Sequence, residues 1–281
     1  MHYLLACQAN EKLALVAEAS VGTPNPAGRD DLSHEVVTLT VRGDPVPAML
    51  FHPDGRGPFP GVVIGQEATG PNEFIRRVAS DLARSGYVTI VPDYYHGRGP
   101  PDPENYEDVA AIFEHMAVLD FRHATYDLME AVEYLKRLPE VDETRLAVWG
   151  YCTGATMALL TACLQPDLGA TVLFYPSQPR FDVLDVKKPV HPIDLVWNLT
   201  APIVVMVGDQ DPLWPPELVR ELRDRFDQWG IDSKLTVYPG AGHAFCTPAP
   251  MFHHPEAGEA AWADGLRFLD EHLKVKATET F

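Results

Sequence analysis

Gly150-Tyr151-Cys152-Thr153-Gly154 constrains this chain more than any other stretch. The apolar run Leu146-Ala147-Val148-Trp149 before it reads as a buried strand, and Ala155-Thr156-Met157-Ala158-Leu159-Leu160 after it reads as a helix. So abrupt a strand-to-helix turn strains its middle residue and thrusts that side chain out at the carboxyl end of the sheet. The residues beside it must be small for the backbones to pass. Gly150 and Gly154 meet that demand, so the pattern predicts a nucleophile elbow carrying a thiol, Cys152. A thiol at a helix amino end also feels the positive end of the helix dipole, which favours thiolate, the form that attacks carbonyl carbon. A buried cysteine in a tight turn would fit the same residues. A catalytic reading therefore requires a base and an orienting carboxylate further along the chain.

The rest of the chain repeats the alternation. Residues 36–41 and 46–51 read as strands joined across Arg42-Gly43-Asp44-Pro45, an antiparallel pair at one edge of a sheet. Further strands are predicted at 61–65, 87–91, 170–175, 203–207 and 234–238. Helical periodicity covers 72–85, 104–138, the stretch from the elbow to about 165, 217–229 and 256–273. Residues 96–103 form a Gly- and Pro-rich loop, and 176–200 a long irregular segment. This order predicts an α/β fold with a mostly parallel central sheet and helices on both faces. Ligands in such sheets sit at the carboxyl ends of the strands. Residues 1–30 stand apart as an N-terminal arm and linker, and 31–281 read as one α/β domain. The arm packs either on its own domain or on a second subunit, which leaves a homo-oligomer open.

Charge narrows the partners. Lys and Arg total 22 against 40 Asp and Glu, a formal net charge of −18. Nucleic acid and anionic membrane surfaces would be repelled at long range, whereas a small anionic substrate needs only a local positive cluster. Cys7, Cys152, Cys163 and Cys246 are too few and too scattered for a disulfide framework, so a reducing compartment is expected. The first residues lack the basic and apolar regions of a secretory signal, and no apolar run is long enough to span a membrane. The expectation is a soluble, cytoplasmic protein. His253 and His254 are adjacent and point apart, and no pattern of ligands surrounds them, so no metal and no cofactor are expected.

Two later strand ends supply the base and the acid, in the order that this architecture requires after its nucleophile. Val207-Gly208-Asp209-Gln210-Asp211-Pro212 follows one strand and carries two aspartates. Asp211 is preferred, because Gly208 makes the turn and Asp209 suits a capping role. Tyr238-Pro239-Gly240-Ala241-Gly242-His243 follows the last strand and carries His243. Singly, a loop aspartate is a cap and a lone histidine a satisfied polar group. At three strand ends in the required order they form a catalytic constellation. Cys246, three residues past His243, reads as packing or as pocket lining.

With these residues in place the chain resembles the dienelactone hydrolase family of α/β-hydrolases over roughly residues 36–273. The motifs that carry the likeness are Gly65-Gln66-Glu67, Val91-Pro92-Asp93-Tyr94-Tyr95, the Cys152 elbow, Gly208-Asp209-Gln210-Asp211 and Gly240-Ala241-Gly242-His243-Ala244-Phe245. The resemblance implies a triad of Cys152, Asp211 and His243. It also implies that Glu67 engages the resting thiol and moves aside when substrate arrives. A carboxylate beside a thiol opposes ionisation, and a neutral thiol resists oxidation, so the assignment is physically reasonable. A loop-stabilising carboxylate is the plainer reading of Glu67. The backbone N–H groups of Thr153 and Ala68 are the expected oxyanion hole.

The likeness also has departures. The family's dienelactone enzymes hold a substrate carboxylate with two arginines. Here Arg98 stands about one residue from the first position, and Cys246-Thr247 occupy the second. Arg98, Tyr95, Tyr175 and Cys246 are the candidates for the substrate-binding wall, and the long 176–200 segment, with Arg180, Lys187 and Lys188, would reshape it. The expected function is hydrolysis of a small activated ester or lactone through a thioester on Cys152. The competing classes are a slow or non-catalytic ligand-binding or sensing protein on the same fold, and an acyltransferase.

Overall fold

The computed structural model describes residues 34–274. The arm and linker expected over residues 1–30, and any second subunit on them, lie outside the described residues. β1 (Glu35–Val41) and β2 (Asp44–Phe51) pair antiparallel with Val41 opposite Asp44. The two-residue turn between them puts Arg42 and Gly43 at φ 54° and 97°, the left-handed pair whose twist matches a hairpin. β2 then pairs antiparallel with β4 (Val88–Pro92). From there β3 (Phe59–Gly65), β5 (Val141–Tyr151), β6 (Ala170–Phe174), β7 (Ile203–Gly208) and β8 (Ser233–Tyr238) continue in parallel. The sheet has eight strands in the order β1-β2-β4-β3-β5-β6-β7-β8.

The central strands are apolar throughout because both of their faces are covered. Val63, Val148, Leu173 and Val205 face one core, completed by α3 (Phe121–Lys136), α4 (Cys152–Leu164) and α5 (Pro216–Trp229). Val62, Trp149, Phe174 and Met206 face the other, completed by α1 (Glu73–Arg84) and α6 (Pro255–Leu273). Periodicity puts Phe74, Ile75, Val78 and Leu82 on one face of α1; Ile75, Val78 and Leu82 are buried and Phe74 half-buried, and Asn72 caps the helix through a bond from the Ile75 N–H.

Three predicted boundaries differ. The helical stretch 104–138 is two helices, α2 (Val109–Val118) and α3, because Asp120 accepts from the His123 N–H and starts a new helix. β5 begins five residues before the expected 146, since Val141 pairs with Phe59 ahead of a bulge. The segment 176–200 contains a 3₁₀ helix, Pro192–Asn198.

The elbow depends on a close crossing. A β-carbon on Gly150 would lie 2.6 Å from the Ala155 Cα, and one on Gly65 2.5 Å from the Gly154 carbonyl oxygen. One on Gly154 would strike the Gly65 carbonyl carbon and the Gln66 oxygen. These obstacles are backbone, so no rotamer change relieves them. Gly154→Ala should therefore lose about 1–3 kcal/mol or more in urea unfolding. Wild-type stability in that variant would disprove the crossing.

Candidate active site

β5 ends at Tyr151 and α4 begins at Cys152 with no loop between them. Cys152 takes φ 50°, the left-handed region that residues with a β-carbon rarely adopt. Such a conformation costs on the order of 1–3 kcal/mol and persists only where its surroundings over-determine it, which the glycine crossing does. The result is a thiol at the sheet's carboxyl edge, 8% exposed, over the first turn of a helix.

Two neighbouring strand ends bring the other groups to it. After β7, Asp209 accepts from the Gly240 N–H at 2.8 Å and Gln210 N–H donates to Ala241 O at 2.9 Å, so the β7 and β8 loops are stitched together. Asp211 turns inward instead. Its Oδ1 accepts from the Leu213 N–H at 2.9 Å, and Trp214 anchors the loop by donating Nε1–H to Pro176 O at 2.8 Å. Asp211 Oδ2 lies 2.8 Å from His243 Nδ1, and His243 Nε2 lies 3.2 Å from Cys152 Sγ. Carboxylate, imidazole and sulfur thus form one hydrogen-bonded row. With Nδ1–H donated to Asp211, Nε2 is left to take the thiol proton.

Burial acts to lower the His243 pKa. The charges of Asp211 and Cys152 and their hydrogen bonds to the ring override it and hold the imidazole well above its ordinary value. The edge of the Tyr175 ring, 5.4 Å away at 71°, fixes the plane of the imidazole.

The loop after β3 is held by two tyrosines. Tyr94 donates its hydroxyl to Glu67 O at 2.7 Å and Gln66 O at 3.1 Å, and Tyr95 donates to Ala68 O at 2.8 Å. A trans peptide points its C=O and N–H in opposite directions, so fixing the Glu67 carbonyl aims the Ala68 N–H away from Tyr94. That N–H has no hydrogen-bond partner among the described residues. Thr153 supplies a first-turn N–H of α4, one of the donors that a helix leaves without an intrahelical acceptor.

Glu67 is placed differently from the expectation. Its buried carboxylate accepts from Thr247 Oγ1 at 2.6 Å, Tyr106 Oη at 3.2 Å and Tyr175 Oη at 3.4 Å, while the sulfur faces His243. Among the described residues no hydrogen bond joins this carboxylate to the Cys152 sulfur, whose partners are His243 Nε2 and the Thr153 hydroxyl. Burial raises the Glu67 pKa, opposed by the Thr247 and Tyr106 bonds, the His243 charge and the Tyr175 bond.

The substrate-wall candidates divide. Arg98 is exposed on the loop that follows β4. Tyr95 is committed to Ala68, and Tyr175 to Glu67 and the imidazole. Cys246 is partly buried beside Tyr175 and Glu67, and its burial pushes the thiol pKa up. Tyr94 and Thr247 stood in the motifs above without a role of their own, and Tyr106 was not anticipated. Tyr94 had a signal, its place beside Tyr95 at a strand end; Tyr106 had none, since it sits in a loop remote from any strand end.

The mixed sheet, the elbow and the strand-end loops define an α/β-hydrolase. Residues 46–273 match the dienelactone hydrolase family, and the chain belongs to that family. A Bradyrhizobium sp. protein provisionally named 2-oxo-3-(5-oxofuran-2-ylidene)propanoate lactonase is 34% identical over 252 residues, covering 89% of this chain and 98% of its own. A Yersinia pestis protein provisionally named carboxymethylenebutenolidase is 30% identical, covering 84% and 87%. A crystal structure from Klebsiella pneumoniae, provisionally named dienelactone hydrolase, superposes with a TM-score of 0.77 at 27% identity, covering 85% and 98%. Among the described residues no helix is long and apolar enough to cross a membrane.

The electrostatics of the row can be read by NMR. The His243 ring should titrate well above the ordinary imidazole midpoint, and Asp211→Asn should move that midpoint down by about a unit or more. An ordinary midpoint in the wild type, or no change on substitution, would show that the Asp211 carboxylate does not hold the imidazole charge.

Proposed function

We propose that this protein hydrolyses activated esters or lactones with Cys152 as nucleophile, His243 as general base and acid, and Asp211 as the group that orients the ring. The observation that carries the reading is the unbroken row from Asp211 Oδ2 through the imidazole to Cys152 Sγ, at 2.8 and 3.2 Å. The first-turn N–H of Thr153 and the N–H of Ala68, which has no hydrogen-bond partner among the described residues, support the reading as oxyanion donors. The lactonase and butenolidase names of relatives supply the substrate class.

In the proposed cycle His243 Nε2 takes the Cys152 proton, and the thiolate attacks the carbonyl carbon. The C–S bond forms and the carbonyl π pair moves onto oxygen, where the N–H groups of Thr153 and Ala68 receive it; each such donor lowers the barrier by about 3 kcal/mol. The adduct collapses, the C–O bond breaks, and the departing oxygen takes the proton from Nε2–H, leaving a thioester. Water then gives a proton to Nε2 and attacks the thioester, and the second adduct expels the thiolate, which recovers its proton. For a lactone the leaving oxygen stays on the same molecule, so the product is one ring-opened acid.

Sulfur chemistry restricts the substrate. Thiolate departs more readily than an alkoxide, so the first adduct returns to starting material unless the oxygen leaving group is also good. Enol esters, enol lactones and aryl esters satisfy this, because their departing anion is delocalised. Ordinary alkyl esters and amides do not.

Purified protein should turn over p-nitrophenyl acetate and an enol lactone many times, and Cys152→Ala should abolish both. His243→Ala should lower kcat by about 10³-fold or more with the fold retained by circular dichroism. Sustained turnover by Cys152→Ala would end the nucleophile assignment, and near-normal turnover by His243→Ala would remove the ring from the mechanism.

A further inference from the structure

A second concavity lies away from the row of carboxylate, imidazole and sulfur. α3, the carboxyl half of α4 and the segment that leads into the 3₁₀ helix border a cleft of about 250 Å³, walled by Phe121, Thr125, Leu160, Phe181 and Leu195. The Phe121 and Phe181 rings meet edge-on with centroids 4.9 Å apart, and both are buried. Thr125 spends its hydroxyl on Phe121 O at 2.7 Å, so the floor of the cleft is apolar. Leu160 follows Cys152 on the same helix by two turns and more, about 12 Å along its axis, which separates the cleft from the sulfur.

The rim of this cleft is cationic. Arg122 is exposed at the opening, and its backbone N–H donates to Lys187 O at 2.9 Å. Lys187 Nζ donates to Val118 O at 3.0 Å, and Lys188 Nζ stands 5.4 and 5.7 Å from the centroids of the same Phe121 and Phe181 rings. Among the described residues none of the three cations forms an ion pair. The neighbouring acid, Asp185, spends Oδ1 on the backbone N–H groups of Lys187 and Lys188 at 2.8 and 2.9 Å, and Asp120 caps α3. In a chain with 40 acidic residues against 22 Lys and Arg, three cations without a carboxylate partner around one apolar opening make a local positive field. Apolar surface gathers there too. Val118, Leu164, Val183, Leu184 and Val186, on the segments that border the cleft, are five of the nine exposed large apolar side chains among the described residues. Such a concentration marks a binding surface rather than scattered exposure.

We propose that this cleft is an accessory site for a small amphipathic carboxylate, with its alkyl or aryl tail against Phe121, Phe181 and Leu160 and its carboxylate among Arg122, Lys187 and Lys188. The apolar walls reward only an apolar tail, and a guanidinium beside ammonium groups matches a carboxylate in charge and geometry. The volume falls just under the ~300–1,000 Å³ of sites for drug-sized ligands, so the occupant is smaller than those. A protein segment fits less well, because a single turn of helix about 10 Å across fills more space than the whole cleft offers. None of these residues belongs to the row, so the site is independent of the reading of Cys152 as nucleophile.

Calorimetric titration of the full-length protein with sodium octanoate tests the site. Octanoate should bind with a Kd on the order of 0.1 mM, and 1-octanol, which has the same tail without the charge, about tenfold more weakly. Arg122→Ala combined with Lys188→Ala should weaken octanoate about tenfold and leave octanol within about twofold. Leu164→Trp fills the opening from an exposed position and should abolish binding of both. Arg122→Gln is read by the same criterion if the double variant does not fold by circular dichroism. Absence of octanoate binding to the wild type would overturn the proposal. So would an affinity unchanged in all of these variants, which is the result that binding beside Cys152 would give. A concentration-dependent dimer in sedimentation velocity that Leu164→Trp dissociates and octanoate leaves intact would assign the face to a second copy of the chain and overturn it equally.

Discussion

The site exists because a cysteine backbone is held at a positive φ between two strands and a helix that touch through glycine. Cys152 at φ 50°, Tyr175 at 39° and Ala244 at 58° are all in the left-handed region, the first at the elbow itself, the second stacked edge-on to the His243 ring and the third next to His243 in the chain. Side-chain carriers adopt that conformation only when packing imposes it. The imposition comes from the sheet. β3 and β5 run parallel with Gly65 opposite Gly150, and α4 lies across both at Gly154. Any relaxation at the elbow would have to push β3 out of the sheet core, where Val62, Val63 and Ile64 are fully buried.

That rigidity fixes the sulfur but not the groups that act on it, which come from loops. Glu67 connects those loops. Its carboxylate takes hydroxyls from the β8 loop, from the end of β6 and from the segment before α2, while Tyr94 and Tyr95 fix its own backbone. Asp209 joins the β7 and β8 loops by a separate bond to the Gly240 N–H. The strand ends are thus tied to one another independently of the row of reacting groups. A substitution in that row therefore need not disturb the scaffold, and chemistry and folding can be probed separately.

The sequence made the covalent logic of the site legible and left its supports hidden. Periodicity found the strands and most helices, because two covered faces make parallel strands continuously apolar and turn the helices amphipathic. The elbow, Asp211 and His243 could be read because each follows an apolar strand directly, and a strand end has only one place to go. The break between α2 and α3 could not be placed, because Asp120 is a cap inside an otherwise unbroken apolar pattern. Thr247 and Tyr106 were invisible for another reason. Hydroxyls pairing across 180 and 39 residues of chain leave no periodic or local trace, since the distance between them is set by the tertiary fold alone. The surroundings of Glu67 were hidden on the same ground: the motif identified the carboxylate, and the hydroxyls that hold it come from distant loops.

The two carboxyls of the site illustrate how such surroundings divide labour. Both are 3% exposed and both border the same imidazole region. Asp211 has a backbone N–H on one oxygen and the His243 ring on the other, so its charge is matched by the ring it orients. Glu67 has only neutral hydroxyls in hydrogen-bonding contact, and burial pushes its pKa upward against their pull. Two buried full negative charges near one imidazole would repel one another strongly in a medium where pairing is the condition for keeping charge. Placing one carboxyl on the imidazole and the other among hydroxyls avoids that conflict. It leaves the ring bonded to Asp211 through Nδ1, with Nε2 facing the Cys152 sulfur at 3.2 Å.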